Sequence, residues 1–233
     1  MTSTRRTARI TGLAYLGLAV TGMANYLLFQ QLFTPGDAAG TAANLAAHEG
    51  LARLGVVAGI GTVLTQAAAA VGFWQLFRRI HPVAAGSIAA FGLVNCVTLL
   101  VAVMCSATAL DAALRGDLAS ARDAALLQAL AAAAFGFGGV FYGLWLVPMG
   151  WLVGRSRYMP RALGWVLLAG GAGYVLSVVV DALVPGDTAF VYLLTVPATI
   201  GEVWMVGYLL VKGVSHQAPA APWPAFGPAV ASA

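Results

Sequence analysis

Six stretches of this chain run for more than twenty residues with at most one charged side chain each: 10–33, 51–77, 83–110, 124–153, 162–184 and 190–211. A hydrocarbon core about 30 Å thick is crossed by about 20 apolar residues wound as α-helix. In lipid, only a helix or a closed barrel satisfies every backbone N–H and C=O. The runs are continuous, not alternating, and rich in Ala and Leu, which disfavours a barrel. The expected fold is therefore all-α: a polytopic integral membrane bundle of six transmembrane helices.

Composition agrees. Only 9% of the 233 residues are charged and 61% are hydrophobic, whereas a soluble domain carries about a quarter charged residues to face water. The bundle is read as one domain over residues 1–214. Residues 215–233 hold Pro219, Pro222, Pro224 and Pro228 among alanines, the composition of a disordered tail. Arg5, Arg6 and Arg9 ahead of an apolar run could open a signal peptide. The run is long and lacks a clear A-x-A site, so an uncleaved first span is expected.

Charge sets the direction. With the N-terminus inside, nine basic residues fall on inner segments: Arg5, Arg6, Arg9, Arg78, Arg79, Arg155, Arg157, Arg161 and Lys212. Three fall outside: Arg53, Arg115 and Arg122. Asp37, Glu49, Asp111, Asp117, Asp123 and Asp187 all fall outside. This bias predicts both termini in the cytoplasm and residence in the plasma (inner) membrane. The basic residues cap apolar runs instead of forming a face, so nucleic acid is not an expected partner. Membrane lipids are, and a membrane protein partner or a second copy of the chain stays open.

The outer connection 34–50 contains an Ala-rich part, 37–49, that could form a short interfacial helix ending at Gly50. Ser120-x-x-Asp123 resembles a capping box opening the fourth span. Pro35-Gly36-Asp37 and Pro185-Gly186-Asp187 end the first and fifth spans in parallel. They suit an internal repeat, but turn chemistry alone accounts for both. Cys96 and Cys105 lie nine residues apart in one run, roughly 13 Å along a helix, too far to pair.

An ionisable group at membrane depth is costly and is a candidate site by default. Glu202 is the clearest, ten residues before Lys212 and so roughly 15 Å above the inner boundary. Counting from each span's inner end puts Gln66, Asn95, Tyr142, Tyr174 and Thr21 at similar depth. Glu202 could line a pocket that binds a small molecule, cation or proton, with Gln66, Asn95, Tyr142 and Tyr174 as its wall. It could equally be a protonated or hydrogen-bonded residue that holds helices together. Asp181, near the outer end of its span, can reach the headgroups. Gly139-x-x-x-Gly143 and Gly150-x-x-x-Gly154 read as close-packing stripes. Gly170, Gly171 and Gly173 suggest a flexible point in the fifth span. Trp145, Trp151, Trp165 and Trp204 read as lipid-interface or packing residues.

The histidines, His48, His81 and His216, fall on different segments, so no metal site is expected from them. His48 beside Glu49, with Asp37, is a weak surface cluster. No zinc-protease, nucleophile-elbow or phosphate-loop pattern occurs. The residues point to no cofactor and no catalytic constellation, and enzyme activity is not the expectation.

Three groups of residues then carry a resemblance. The first is Pro35-Gly36-Asp37-Ala38-Ala39 with Thr41-Ala42-Ala43-Asn44, Glu49-Gly50-Leu51 and Arg53-Leu54-Gly55. The second is Phe141-Tyr142-Gly143-Leu144 with Gly150, Arg155-Ser156, Pro160 and Leu163-Gly164. The third is Pro197-Ala198, Ile200-Gly201-Glu202 and Trp204 with Lys212-Gly213-Val214. In this order, over about residues 9–214, the chain resembles a bacterial multi-pass membrane family catalogued as a domain of unknown function (family number 4386). The resemblance implies a membrane protein with no assigned activity, substrate or catalytic residue.

Overall fold

The computed structural model describes residues 3–184 and 188–214. The second Pro-Gly-Asp turn, 185–187, and the Pro/Ala tail, 215–233, lie outside the described residues. Every regular element described is a helix: α1 (Ser3–Leu32), α2 (Ala38–Ala47), α3 (Glu49–Phe77), α4 (Pro82–Ala113), α5 (Leu118–Ser156), α6 (Arg161–Leu183) and α7 (Thr188–Val211). All but α2 are long and apolar enough to cross a membrane. The protein is a multi-pass helical membrane protein.

The helices outrun the apolar stretches. α1 starts at Ser3, well before residue 10, because Arg5, Arg6 and Arg9 are exposed. Arginine is a good helix former and can carry its charge out to the headgroups. α5 has 39 residues, about 58 Å at 1.5 Å per residue, roughly twice the hydrocarbon thickness. Its first turns hold Arg122 and Asp123 and so belong outside the hydrocarbon.

α2 packs on those protruding turns. Its Leu45 is fully buried among Leu32, Ala109, Ala113 and Ala124. The Asp37 carboxylate caps it, accepting from the Gly40 N–H at 2.8 Å. The short helix ends at His48, not Gly50. His48 leaves helical geometry at φ −118° and serves as the C-cap of α2 and the N-cap of α3. Gly50 is thereby absorbed into the first turn of α3. The capping box at Ser120 is also displaced. α5 opens at Leu118 with Asp117 as cap, accepting 2.8 Å from the Ser120 N–H and 2.7 Å from its hydroxyl. These bonds, the backbone one foremost, hold the Asp117 carboxyl below the usual carboxylate range.

The six long helices close a ring: α1 packs on α3 and α7, α3 on α4, α4 on α5, α5 on α6, and α6 on α7. α1 and α7 run antiparallel, since Tyr15 meets Glu202, a side chain on Gly12 would meet Leu209 and Leu210, and one on Gly213 would meet Arg5. The ends carrying Arg5 and Gly213 therefore share one face of the bundle, called the terminal end below. α1 and α5 face each other across the ring with almost no close backbone approach.

What fills the gap differs along its length. Toward the terminal end, Tyr15, Phe73 and Trp145 meet edge-on with ring centroids 5.3, 5.5 and 6.0 Å apart. Phe77, Leu146, Met149, Leu152, Leu163 and Leu209 complete a solid plug. Toward the far end, small residues of α5 (Ala132, Ala133, Gly136) face α1 and leave space.

The glycines of α6 stand at packing positions. A Cβ on Gly171 would lie 2.8 Å from the Gly143 carbonyl oxygen, and one on Gly170 or Gly173 would strike the backbone of Ala198 or Leu194. These glycines permit backbone contact with α5 and α7.

Candidate functional site

The space between α1 and α5 forms two adjoining cavities, of about 630 Å³ and 260 Å³. Tyr26, Ala132, Phe135 and Gly136 line both. The larger lies among α1, α5, α6 and α7 and extends from mid-helix to the far end, where Asp181 and Tyr192 stand exposed. The smaller lies among α1, α3, α4 and α5. Both are mainly apolar, with a few polar groups in their walls, as ligand sites generally are.

Glu202, Tyr142 and Tyr174 line the larger cavity together. Glu202 is half-buried there, and its Oε1 accepts a hydrogen bond from the Tyr15 hydroxyl at 2.6 Å. The bond ties α7 to α1 where the aromatic plug begins. Tyr142 of α5 and Tyr174 of α6 stack with centroids 6.0 Å apart and planes 30° apart.

Gln66 and Asn95 do not line either cavity. They sit behind it, fully buried between α3, α4 and α5. Gln66 Nε2 donates to the Gly92 carbonyl at 3.5 Å, while its Oε1 has no partner. Asn95 Oδ1 accepts from Thr98 at 3.2 Å. Its amide faces the Tyr142 hydroxyl, though Nδ2 makes no hydrogen bond. Asn95 thus stands behind the wall, and Gln66 bridges α3 to α4. Thr21, of similar expected depth, faces α3 and lies 3.5 Å from Thr65.

Two polar residues escaped the depth count, one bonded to Glu202 and one at the smaller cavity. Tyr15 was hidden because the count began at residue 10. Measured from Ser3, it lies twelve residues into α1, roughly 18 Å along, level with Glu202. Gln128 lines the smaller cavity, is only 3% exposed and leaves its Oε1 unpartnered. The apolar run containing it gave no sign of which way it faces.

The expected packing glycines divide. Cβ atoms on Gly143 and Gly150 would lie 2.6 Å from the carbonyl oxygens of Gly171 and Gly164, and one on Gly139 would lie 2.9 Å from Val178. A Cβ on Gly154 would meet nothing within 4 Å. His48 and Glu49 form no joint site: His48 Nδ1 lies 3.1 Å from the Asn44 carbonyl, and Glu49 pairs with Arg53 at 2.7 Å.

The chemistry at hand is a carboxyl acceptor held by a phenol, two stacked phenol rings and an apolar surround. That arrangement can bind a donor or a cation. A family described as Domain of unknown function (DUF4386) matches residues 10–213. No curated protein and no solved structure matches the chain.

Proposed function

The chain belongs to this family of unknown function, DUF4386, and we propose that it binds or moves a small molecule or ion at a midplane pocket around Glu202. One observation carries the reading: the Glu202 carboxyl stands in the wall of a cavity of about 630 Å³ beside the stacked Tyr142 and Tyr174. A carboxyl at membrane depth is expensive. Setting it at a cavity that reaches the far end gives an occupant access to it. The plug of Tyr15, Phe73 and Trp145 closes the path toward the terminal end.

The occupant best suited is a small, mainly apolar molecule with an amino group. The carboxyl takes the N–H donors, the phenol rings offer their faces to the cation, and the apolar wall takes the remainder. The nine-to-three bias of basic residues favours both termini on the cytoplasmic side of the plasma membrane, and on that reading the cavity opens outward.

The test is thermal-shift binding of a series of primary alkylamines to wild type and Glu202→Gln in the same detergent. Wild type should respond and the variant should not, at matched fold. Equal responses to every amine would remove Glu202 from the site.

A second reading treats the protein as a structural or regulatory partner without ligand. The Tyr15–Glu202 bond favours it, because it gives the carboxyl a partner within the chain and joins α1 to α7 with no ligand required. Co-purification from native membranes separates the two: recovery of the chain alone in every detergent counts against a partner role.

A further inference from the structure

We infer that the groove between the terminal ends of α5 and α6 is a binding site for the headgroup of an anionic phospholipid. The inference does not depend on Glu202. The groove has a volume of about 360 Å³ and is framed by Trp151 and Arg155 of α5 and by Arg161 and Trp165 of α6. Its lining holds two guanidinium groups and no carboxylate.

The floor is made by glycine. A Cβ on Gly164 would lie 3.0 Å from the Gly154 nitrogen, so the two backbones touch at the bottom. Gly154 itself presents open space, since nothing lies within 4 Å of where its Cβ would stand. A side chain there would occupy the groove without displacing either helix.

The walls suit a lipid at headgroup depth. Arg155 stacks over Trp151, its guanidinium carbon 4.7 Å from the ring centroid, which holds that charge at the rim. Trp165 is 73% exposed and, like Trp151, is a side chain favoured at the membrane interface. Arginine pairs with phosphate through two parallel N–H donors. Basic pockets between helices at a membrane surface take anionic headgroups. Leu168 continues the groove toward the hydrocarbon, where an acyl chain would lie. A free phosphate would use the two arginines but neither the tryptophans nor this apolar continuation.

The experiment is native mass spectrometry of the purified chain from micelles doped with equal phosphatidylglycerol and phosphatidylcholine. One phosphatidylglycerol should be retained over phosphatidylcholine. Arg155→Gln with Arg161→Gln should weaken retention about 30-fold, roughly fivefold for each arginine near the surface. Gly154→Leu should also abolish it while both arginines remain. Arg78→Gln with Arg79→Gln removes equal charge from the same end and should retain the lipid. Equal loss in that control, or no loss in the arginine pair, overturns the site. Displacement of the lipid by millimolar inorganic phosphate overturns the lipid assignment. If Gly154→Leu fails to fold by circular dichroism, the arginine pair and its control decide alone.

Discussion

The Tyr15 hydroxyl donates to Glu202 Oε1 across 2.6 Å, joining the first and last membrane helices at the level where the interior changes from packed aromatic rings to open cavity. Tyr15 is 2% exposed, and its ring also packs on Phe73 and Trp145. Tyr15→Phe therefore removes the bond while leaving the packing. The expected loss is about 0.6 kcal/mol and at most about 2 kcal/mol, as for hydrogen bonds between membrane helices. Detergent-phase thermal unfolding measures it, and amine binding should weaken in the same variant. A variant as stable as wild type with unaltered binding would show that the bond does nothing for either.

Gln128 makes the opposite prediction. Its Oε1 is buried without a partner beside the smaller cavity, and an unsatisfied buried acceptor costs about 1–3 kcal/mol. Gln128→Leu keeps the bulk and removes the cost, so unfolding temperature should hold or rise. A drop of more than about 1 kcal/mol would mean that the amide is bonded to something in the cavity.

Two glycines one helical turn apart in α5 should respond differently to the same change. Gly150→Ala forces a Cβ to 2.6 Å from the Gly164 carbonyl oxygen, backbone that cannot swing aside, and should destabilise by about 1–3 kcal/mol. Gly154→Ala meets open space and should be neutral or gain up to about 1 kcal/mol from helix propensity. Paired thermal melts check this. Equal losses would mean that α5 and α6 approach differently from the geometry described.

Asp117 gives the pH dependence. Its carboxyl is held below the usual range by the Ser120 N–H and hydroxyl. Because the folded value is depressed, its contribution is complete above the unfolded value, about 3.9. It disappears as pH falls through the folded value. Asp117→Asn keeps a neutral acceptor and loses the charge. Wild type should melt above this variant near pH 6, and the difference should shrink as pH is lowered to about 3. A difference that stays constant over that range would assign the effect to shape and not to charge.

The spans were legible because they depend on local chemistry. A helix in hydrocarbon closes its own backbone hydrogen bonds, so run length alone marks where it lies. Caps are equally local, yet the cap of the fourth span was expected at Ser120, whereas Asp117 supplies it. Boundaries were less legible where a charged residue can extend a helix past the apolar run, as Arg5 and Arg9 do at the start of α1. Glu202 was found because a carboxyl in an apolar run needs no structure to be conspicuous. Tyr15 was missed because depth was counted from residue 10, seven residues past the start of α1 at Ser3.

From sequence alone came the apolar solvent and the number of helices long enough to cross it, each a property of one segment at a time. The tertiary structure alone decided which sides of the helices meet. In water an apolar stripe tells a helix which way to face. Here lipid and core are both apolar, so Leu64 stands 65% exposed while Gln66, two residues on, is fully buried. That choice is made by packing between helices. It separates Gly150 from Gly154, puts Asn95 and Gln66 behind the cavity wall, and brings Tyr15 to Glu202.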